Sequence, residues 1–214
     1  MGEKGLAGSR SDGYIITHPM LAEQPAKLPF DFICSQAGIS DGDATQECHC
    51  MEALQTERAI RASVVVEAGL DEVWEAWTTE GGIRTFFAPD ARVDLKVGGA
   101  YEIYFDPHAE PGNRGAEGVC ILALQPKTML AFTWNAPPHL DRVREQWTHV
   151  VIRLRRLGAD RTEVILHHDG WGTGDQWDQA FEYFQRAWLK IVLPRLQYRF
   201  RVGPVNWEHP PGPA

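Results

Sequence analysis

Residues 175–200 read DQWDQAFEYFQRAWLKIVLPRLQYRF. Trp177, Phe181, Phe184, Trp188 and Ile191 recur there at spacings of four, three, four and three, which sets five large apolar side chains on one stripe of an α-helix. Asp175, Asp178, Glu182, Gln185, Arg186 and Lys190 fall on the opposite face, where water can solvate them. A helix this long with so bulky a stripe requires a broad apolar surface to lie against. Asp175 can cap its start, and Pro194 predicts a kink or an end unless the carbonyl it frees finds a partner.

The chain upstream supplies that surface. Ile60–Glu67 reads as a first strand. A short helix follows over Asp71–Thr78, with Asp71 as N-cap, and then a further turn over Ile83–Phe87. Six more strand-like segments come next: Arg92–Val97, Ala100–Asp106, Gly118–Leu124, Met129–Asn135, Trp147–Leu157 and Thr162–Asp169. Turn residues separate them, among them Gly98-Gly99, Pro126-Lys127 and Gly158-Ala159-Asp160. Sequential strands joined by short turns imply an antiparallel sheet. The expectation is an α+β fold in which seven antiparallel strands wrap one long C-terminal helix, with two short helices after the first strand.

Bulk composition narrows the function classes. The chain has 214 residues and a net charge of −8, so it lacks the basic footprint of a nucleic-acid binder. No apolar run reaches the roughly 20 residues of a membrane helix, and the N-terminus carries no apolar signal core, which points to a cytoplasmic protein. Residues 1–50 hold six glycines, three prolines and none of the eight tryptophans. They read as a flexible or loosely attached extension, and translation could start at Met1 or at Met51. The organisation expected is this extension, a domain over 58–202 and an irregular tail over 203–214 that holds four prolines. Cys34, Cys48, His49 and Cys50 invite a zinc reading, but the spacing is not that of paired Cys-x2-Cys sites, so no metal is expected.

Val73-Trp74-Glu75-Ala76-Trp77-Thr78, Phe86-Phe87 with Pro89, Val97-Gly98-Gly99, Leu130 to Trp134, Thr162 to His168 and Gly174 to Phe184 stand in an order that resembles one known family. This is the family named after homologues of the activator of the heat-shock protein 90 ATPase, within the helix-grip superfamily of START domains, pollen-allergen-like proteins and polyketide cyclases. The resemblance runs from about residue 58 to 200 and implies a helix-grip fold with a cavity between sheet and helix. Two departures stand out: the added N-terminal residues, and Phe86 where that family usually has tryptophan.

Strand alternation sorts the candidates for a site. Tyr101, Ile103 and Phe105 share an inward face, as do Leu130, Phe132 and Trp134, and Thr148, Val150, Ile152 and Leu154. His168 takes the phase of Val164 and Leu166, whereas His167 aims at solvent, so the two cannot share a metal. An inward imidazole can be a general acid or base, a ligand contact or a hydrogen-bonded core residue. There is no Gly-x-Ser-x-Gly motif, and Cys120 has no identifiable base, so no catalytic residue is assigned. Gly170–Gly174 lacks the Lys of a phosphate-binding loop and reads as a hinge or lid. The leading expectation is a binder of an apolar or aromatic small molecule, without cofactor, as monomer or homodimer. Its contacts would be Trp77, Phe87, Tyr101, Trp134, His168, Trp177, Phe181 and Phe184. The alternative is a cyclase- or hydrolase-like enzyme using His168, and the third is a co-regulator of the chaperone ATPase.

Overall fold

The computed structural model describes residues 58–213. The expected extension over 1–50, with Cys34, Cys48, His49 and Cys50, lies outside the described residues. The chain runs β1 (Ile60–Val66), α1 (Leu70–Thr78), α2 (Glu80–Ile83), β2 (Asp90–Val93), β3 (Tyr101–Tyr104), β4 (Gly115–Ala116), β5 (Ile121–Gln125), β6 (Met129–Trp134), α3 (Asp141–Arg144), β7 (Thr148–Arg156) and β8 (Thr162–Asp169). A continuous helical stretch follows, made of α4 (Asp175–Ala187), a π-helical turn (Trp188–Val192) and α5 (Leu193–Arg201).

Every strand pairing is antiparallel, but the strands form two sheets instead of the single seven-stranded one expected. One has five strands in the order β1-β8-β7-β6-β5, the other three in the order β2-β3-β4. The division falls where β5 begins. The β5–β6 register shifts between Ile121 and Ala123, and Gly118 takes a positive φ of 77°. A bulge bends its strand and interrupts the ladder. Only an isolated bridge from Ala100 to Cys120 and bonds such as Tyr101 N–H to the Val119 carbonyl (2.9 Å) stitch the sheets together there.

The inner face of the larger sheet is apolar by alternation. Leu130, Phe132, Val150, Ile152, Val164 and Leu166 are all buried, and they share one core with Phe184, Trp188, Val192 and Leu196 of the C-terminal helical stretch. Each such side chain contributes roughly 1.5–3 kcal/mol on burial. From α1 and the segment after it come Val73, Trp77, Ile83, Phe86 and Phe87. Phe86, at the position where tryptophan is usual in the family it resembles, is fully buried with its ring edge-on to Trp77 at 5.0 Å.

Three local expectations need correction. Gly69, not Asp71, stands at the N-cap of α1, where the Glu72 carboxylate accepts its N–H at 3.1 Å; Asp71 instead pairs with Lys127 at 2.8 Å. Pro194 neither ends nor breaks the helix. Its ring would collide with the carbonyl four residues back in an α-helix. The turn ahead of it is π-helical, with the Leu193 N–H donating to the Trp188 carbonyl five residues earlier. That wider turn shifts the buried stripe, so Val192 and Leu193 are buried while Ile191, expected on the stripe, is half-exposed.

Glycines at 81 and 82 have different jobs. A Cβ on Gly82 would lie 2.3 Å from the Glu75 carbonyl oxygen of α1, whereas one on Gly81 would meet open space. Close approach of α2 to α1 therefore requires glycine at 82 alone. The tail beyond Gly203 has no helix or strand, yet it is tied to the end of α2: Val205 N–H donates to the Thr85 carbonyl (2.8 Å) and Trp207 Nε1 to the Arg84 carbonyl (2.6 Å).

Candidate functional site

His168 on β8 sits opposite Val150 on β7 and is fully buried, as the strand phase predicts. The indole N–H of Trp188 reaches its Nδ1 at 3.0 Å. An indole nitrogen can only donate, so Nδ1 accepts and the neutral ring carries its proton on Nε2. That Nε2 donates to Thr148 Oγ1 at 2.8 Å, and the Thr148 hydroxyl donates in turn to the Trp134 carbonyl at 3.1 Å. Helix, β8, β7 and β6 are thereby linked by one continuous chain of hydrogen bonds. Burial holds the His168 imidazole well below its ordinary pKa, with the neighbouring His149 and His167 acting in the same direction. Both ring nitrogens are used within the protein.

Apart from a more open depression of about 440 Å³ over Arg92, Asp94, Lys96 and Glu102, two cavities lie beside this network. The larger, about 200 Å³, is lined by Phe87, Phe105, Trp134, Tyr183, Phe184, Ala187, Trp188, Ile191, Val192 and Arg195. A second, about 160 Å³, shares Phe105, Trp134, Tyr183 and Phe184 with it and continues to Asp106, Asn113, Arg114, Asn135 and the Ala136–Pro138 segment. The shared aromatic side chains make the two one cleft in two lobes, between the helical stretch and the strand ends of β3 and β6. Phe87 stacks on Trp134 (5.9 Å between centroids, 13° between planes) and approaches Trp188 at 5.6 Å. Phe105, 47% exposed, and Tyr183, 44% exposed, stand where the cleft meets solvent.

Polar groups in the walls are few. Trp134 Nε1 and Arg195 Nε are buried and lack a hydrogen-bond partner among the described residues. Arg144, from α3, braces two loops that line the smaller lobe: its guanidinium donates to the carbonyls of Ala136, Gly112 (2.7 Å) and Gly115 (2.9 Å).

A family model described as activator of Hsp90 ATPase homolog 1-like protein matches residues 67–194. The chain belongs to this family. Among solved structures, CalU16 from Micromonospora echinospora is 27% identical with a TM-score of 0.51, over 69% of this chain and 77% of that one. The Aha1 dimer from Colwellia psychrerythraea is 16% identical with a TM-score of 0.52, over 68% of this chain and 98% of that one. DynU16, a protein of the dynemicin biosynthetic locus, is 20% identical with a TM-score of 0.51; the match covers 68% of this chain but only 48% of DynU16. A search of curated proteins finds no match.

For this member of the activator of Hsp90 ATPase homolog 1-like family, three of the expected contacts meet in the cleft: Phe87, Trp134 and Phe184. Five do not. Trp77 and Tyr101 are wholly buried core, with the Tyr101 hydroxyl donating to the Trp77 carbonyl at 2.7 Å. His168 is sealed behind Trp188. Trp177 belongs to a separate small cluster with Ala136, Leu140, Val143 and Ala180. Phe181 packs edge-on against Trp171 (5.3 Å) with the Arg58 guanidinium 4.0 Å above its ring. Gly170–Gly174 is pinned, not a free lid. Trp171 lies 4.2 Å from the His168 ring and donates to the His168 carbonyl at 3.1 Å, and a Cβ on Gly172 would collide with the Trp177 indole.

Alternation did mark Phe105 as inward, but β3 ends at Tyr104, which frees Phe105 to stand at the opening. Sequence reasoning put Ile191 on the helix stripe without naming it as a contact, and it missed Tyr183 and Arg195 as cleft residues.

Proposed function

We propose that this family member binds an apolar or aromatic small molecule in the two-lobed cleft, with Phe87, Trp134 and Phe184 as its principal contacts. The observation that carries the reading is the wall itself: aromatic faces from four separate segments converge, with few polar groups among them. Stacking and edge contacts to such rings hold a flat ligand at about 0.5–1.5 kcal/mol each beyond simple burial. The binding domain in this proposal spans 58–202, with 1–50 as an extension and 203–214 as a tail, acting in the cytoplasm as a monomer or homodimer. Among the described residues no helix is long and apolar enough to cross a membrane.

Acid–base catalysis by His168 gains no support from the geometry, because neither ring nitrogen is available to a substrate. A co-regulator role toward a chaperone ATPase draws only on the family's name.

The test is native mass spectrometry of protein purified from its own cells, with wild type beside Ala187→Phe. Ala187 lines the larger lobe, and a phenyl group there would fill it. A retained small molecule in wild type and none in a folded Ala187→Phe variant is the expected result. Equal retention by both would place the ligand elsewhere.

A further inference from the structure

Among the described residues Arg195 is the only charged one in the wall of the larger lobe, and no carboxylate of theirs lines it. Its guanidinium has no acidic partner within 4.0 Å among the described residues. Its hydrogen bond within the chain is a long one, 3.4 Å to the Pro211 carbonyl, and its charge lies over the Trp207 ring at 5.3 Å. Nε is buried and unpartnered. Arg199 stands one turn further along the same helix, also with its Nε buried and without partner. Like charges at this spacing repel, and a buried donor left unpaired costs free energy. Burial accordingly pulls the Arg195 guanidinium below its ordinary pKa.

Two arginines in this state on a chain of net charge −8 are not explained by the fold alone. From these residues we infer that the ligand of the cleft is an organic acid: an apolar, ring-bearing body lies against Trp134, Phe87 and Phe184, and its carboxylate is held by Arg195. A guanidinium presents parallel N–H donors that match a carboxylate in two-point fashion, and such charge-assisted bonds are about twice as strong as neutral ones. Ile191 and Arg195, four apart and so neighbours on one helix face, both line the lobe. This inference rests on the cleft being the binding site and adds the chemical class of what it binds.

A matched pair of probes tests it. 2-Naphthoate and 2-naphthalenemethanol share the ring body and differ in the charged end. Titration calorimetry on the full chain should show wild type binding the acid at least about tenfold more tightly than the alcohol. Arg195→Gln should abolish that preference while leaving the alcohol's affinity within about twofold, Arg195→Lys should keep part of it, and Arg199→Gln should keep most of it. Equal binding of both probes by wild type would overturn the acid class and leave the cleft standing. An equal loss for both probes in Arg195→Gln would reduce Arg195 to a clamp on Trp207 and Pro211. Failure of both probes to bind wild type up to millimolar concentration would overturn the cleft reading and this inference together. The wild-type comparison stands even if the glutamine variant does not fold.

Discussion

Acidification from pH 7.5 to pH 5 should destabilise the protein through one side chain, His168. The neutral imidazole is satisfied on both nitrogens, and protonating Nδ1 would break the bond from Trp188 and put two N–H groups nose to nose. Burial holds the ring well below the ordinary value of 6.5. In the unfolded chain it titrates near that value. The unfolded state therefore binds more protons below it, and stability is full above pH 6.5 and declines as pH falls. The slope approaches about 1.4 kcal/mol per pH unit, so a ring that stays neutral to pH 5 loses up to about 2 kcal/mol over this span. Carboxylates held low, such as Asp90 by the hydrogen bonds of Arg84, lose their contribution only beneath their own unfolded value of 3.8, outside the window. Urea denaturation followed by tryptophan fluorescence at pH 7.5 and 5, on wild type and His168→Gln, isolates the term. The variant should be less stable at pH 7.5, because it leaves buried partners unpaired, but its pH dependence should be flatter by up to about 2 kcal/mol. Parallel pH profiles for the two proteins would refute the sealed, neutral histidine.

Trp188→Ala removes a 1% exposed indole from the core, along with the donor to His168, and should cost about 3–5 kcal/mol, read as a sharply lower urea midpoint. Gly82→Ala should lower the melting temperature by several degrees because its Cβ meets the α1 backbone, while Gly81→Ala should be neutral or gain about 0.4–1 kcal/mol; equal effects would contradict the packing of α2 on α1. Arg144→Met should release the loops at Gly112–Gly115 and Ala136, seen as faster proteolytic nicking between residues 107 and 115 with little change in far-ultraviolet circular dichroism.

Patterns set by neighbours along the chain were legible. β8 spans Thr162–Asp169, the segment alternation marks, and His168 falls inward as its phase requires. The C-terminal helix and the first short helix after β1 follow from apolar periodicity, but the second, Glu80–Ile83, runs through Gly81-Gly82 and lies ahead of the turn expected over Ile83–Phe87. What escaped depends on distant partners. The separation into two sheets turns on a register shift at Ile121 that no run of residues announces. Five of the eight expected contacts were rightly read as large inward aromatics or an inward histidine, but inward does not say whether a side chain meets another side chain or a space. Trp77 and Tyr101 meet each other, whereas Trp134 meets the cleft. Arg195 looks like one more solvated helix charge until the absence of an acidic partner among the described residues is seen.

The π turn at Trp188–Val192 also ties two positions together in the history of the sequence. Such a turn is a helix carrying one residue too many, absorbed in a single widened turn, so deleting a residue there would restore an α-helix and leave Leu196 in the core and Arg195 at the lobe. Restoring the α-helix would also return the Pro194 ring to its clash, so the shorter helix is accessible only to a chain that has first lost the proline. Relatives of this protein should therefore sort into two groups, with proline and the longer spacing or without proline and the shorter one.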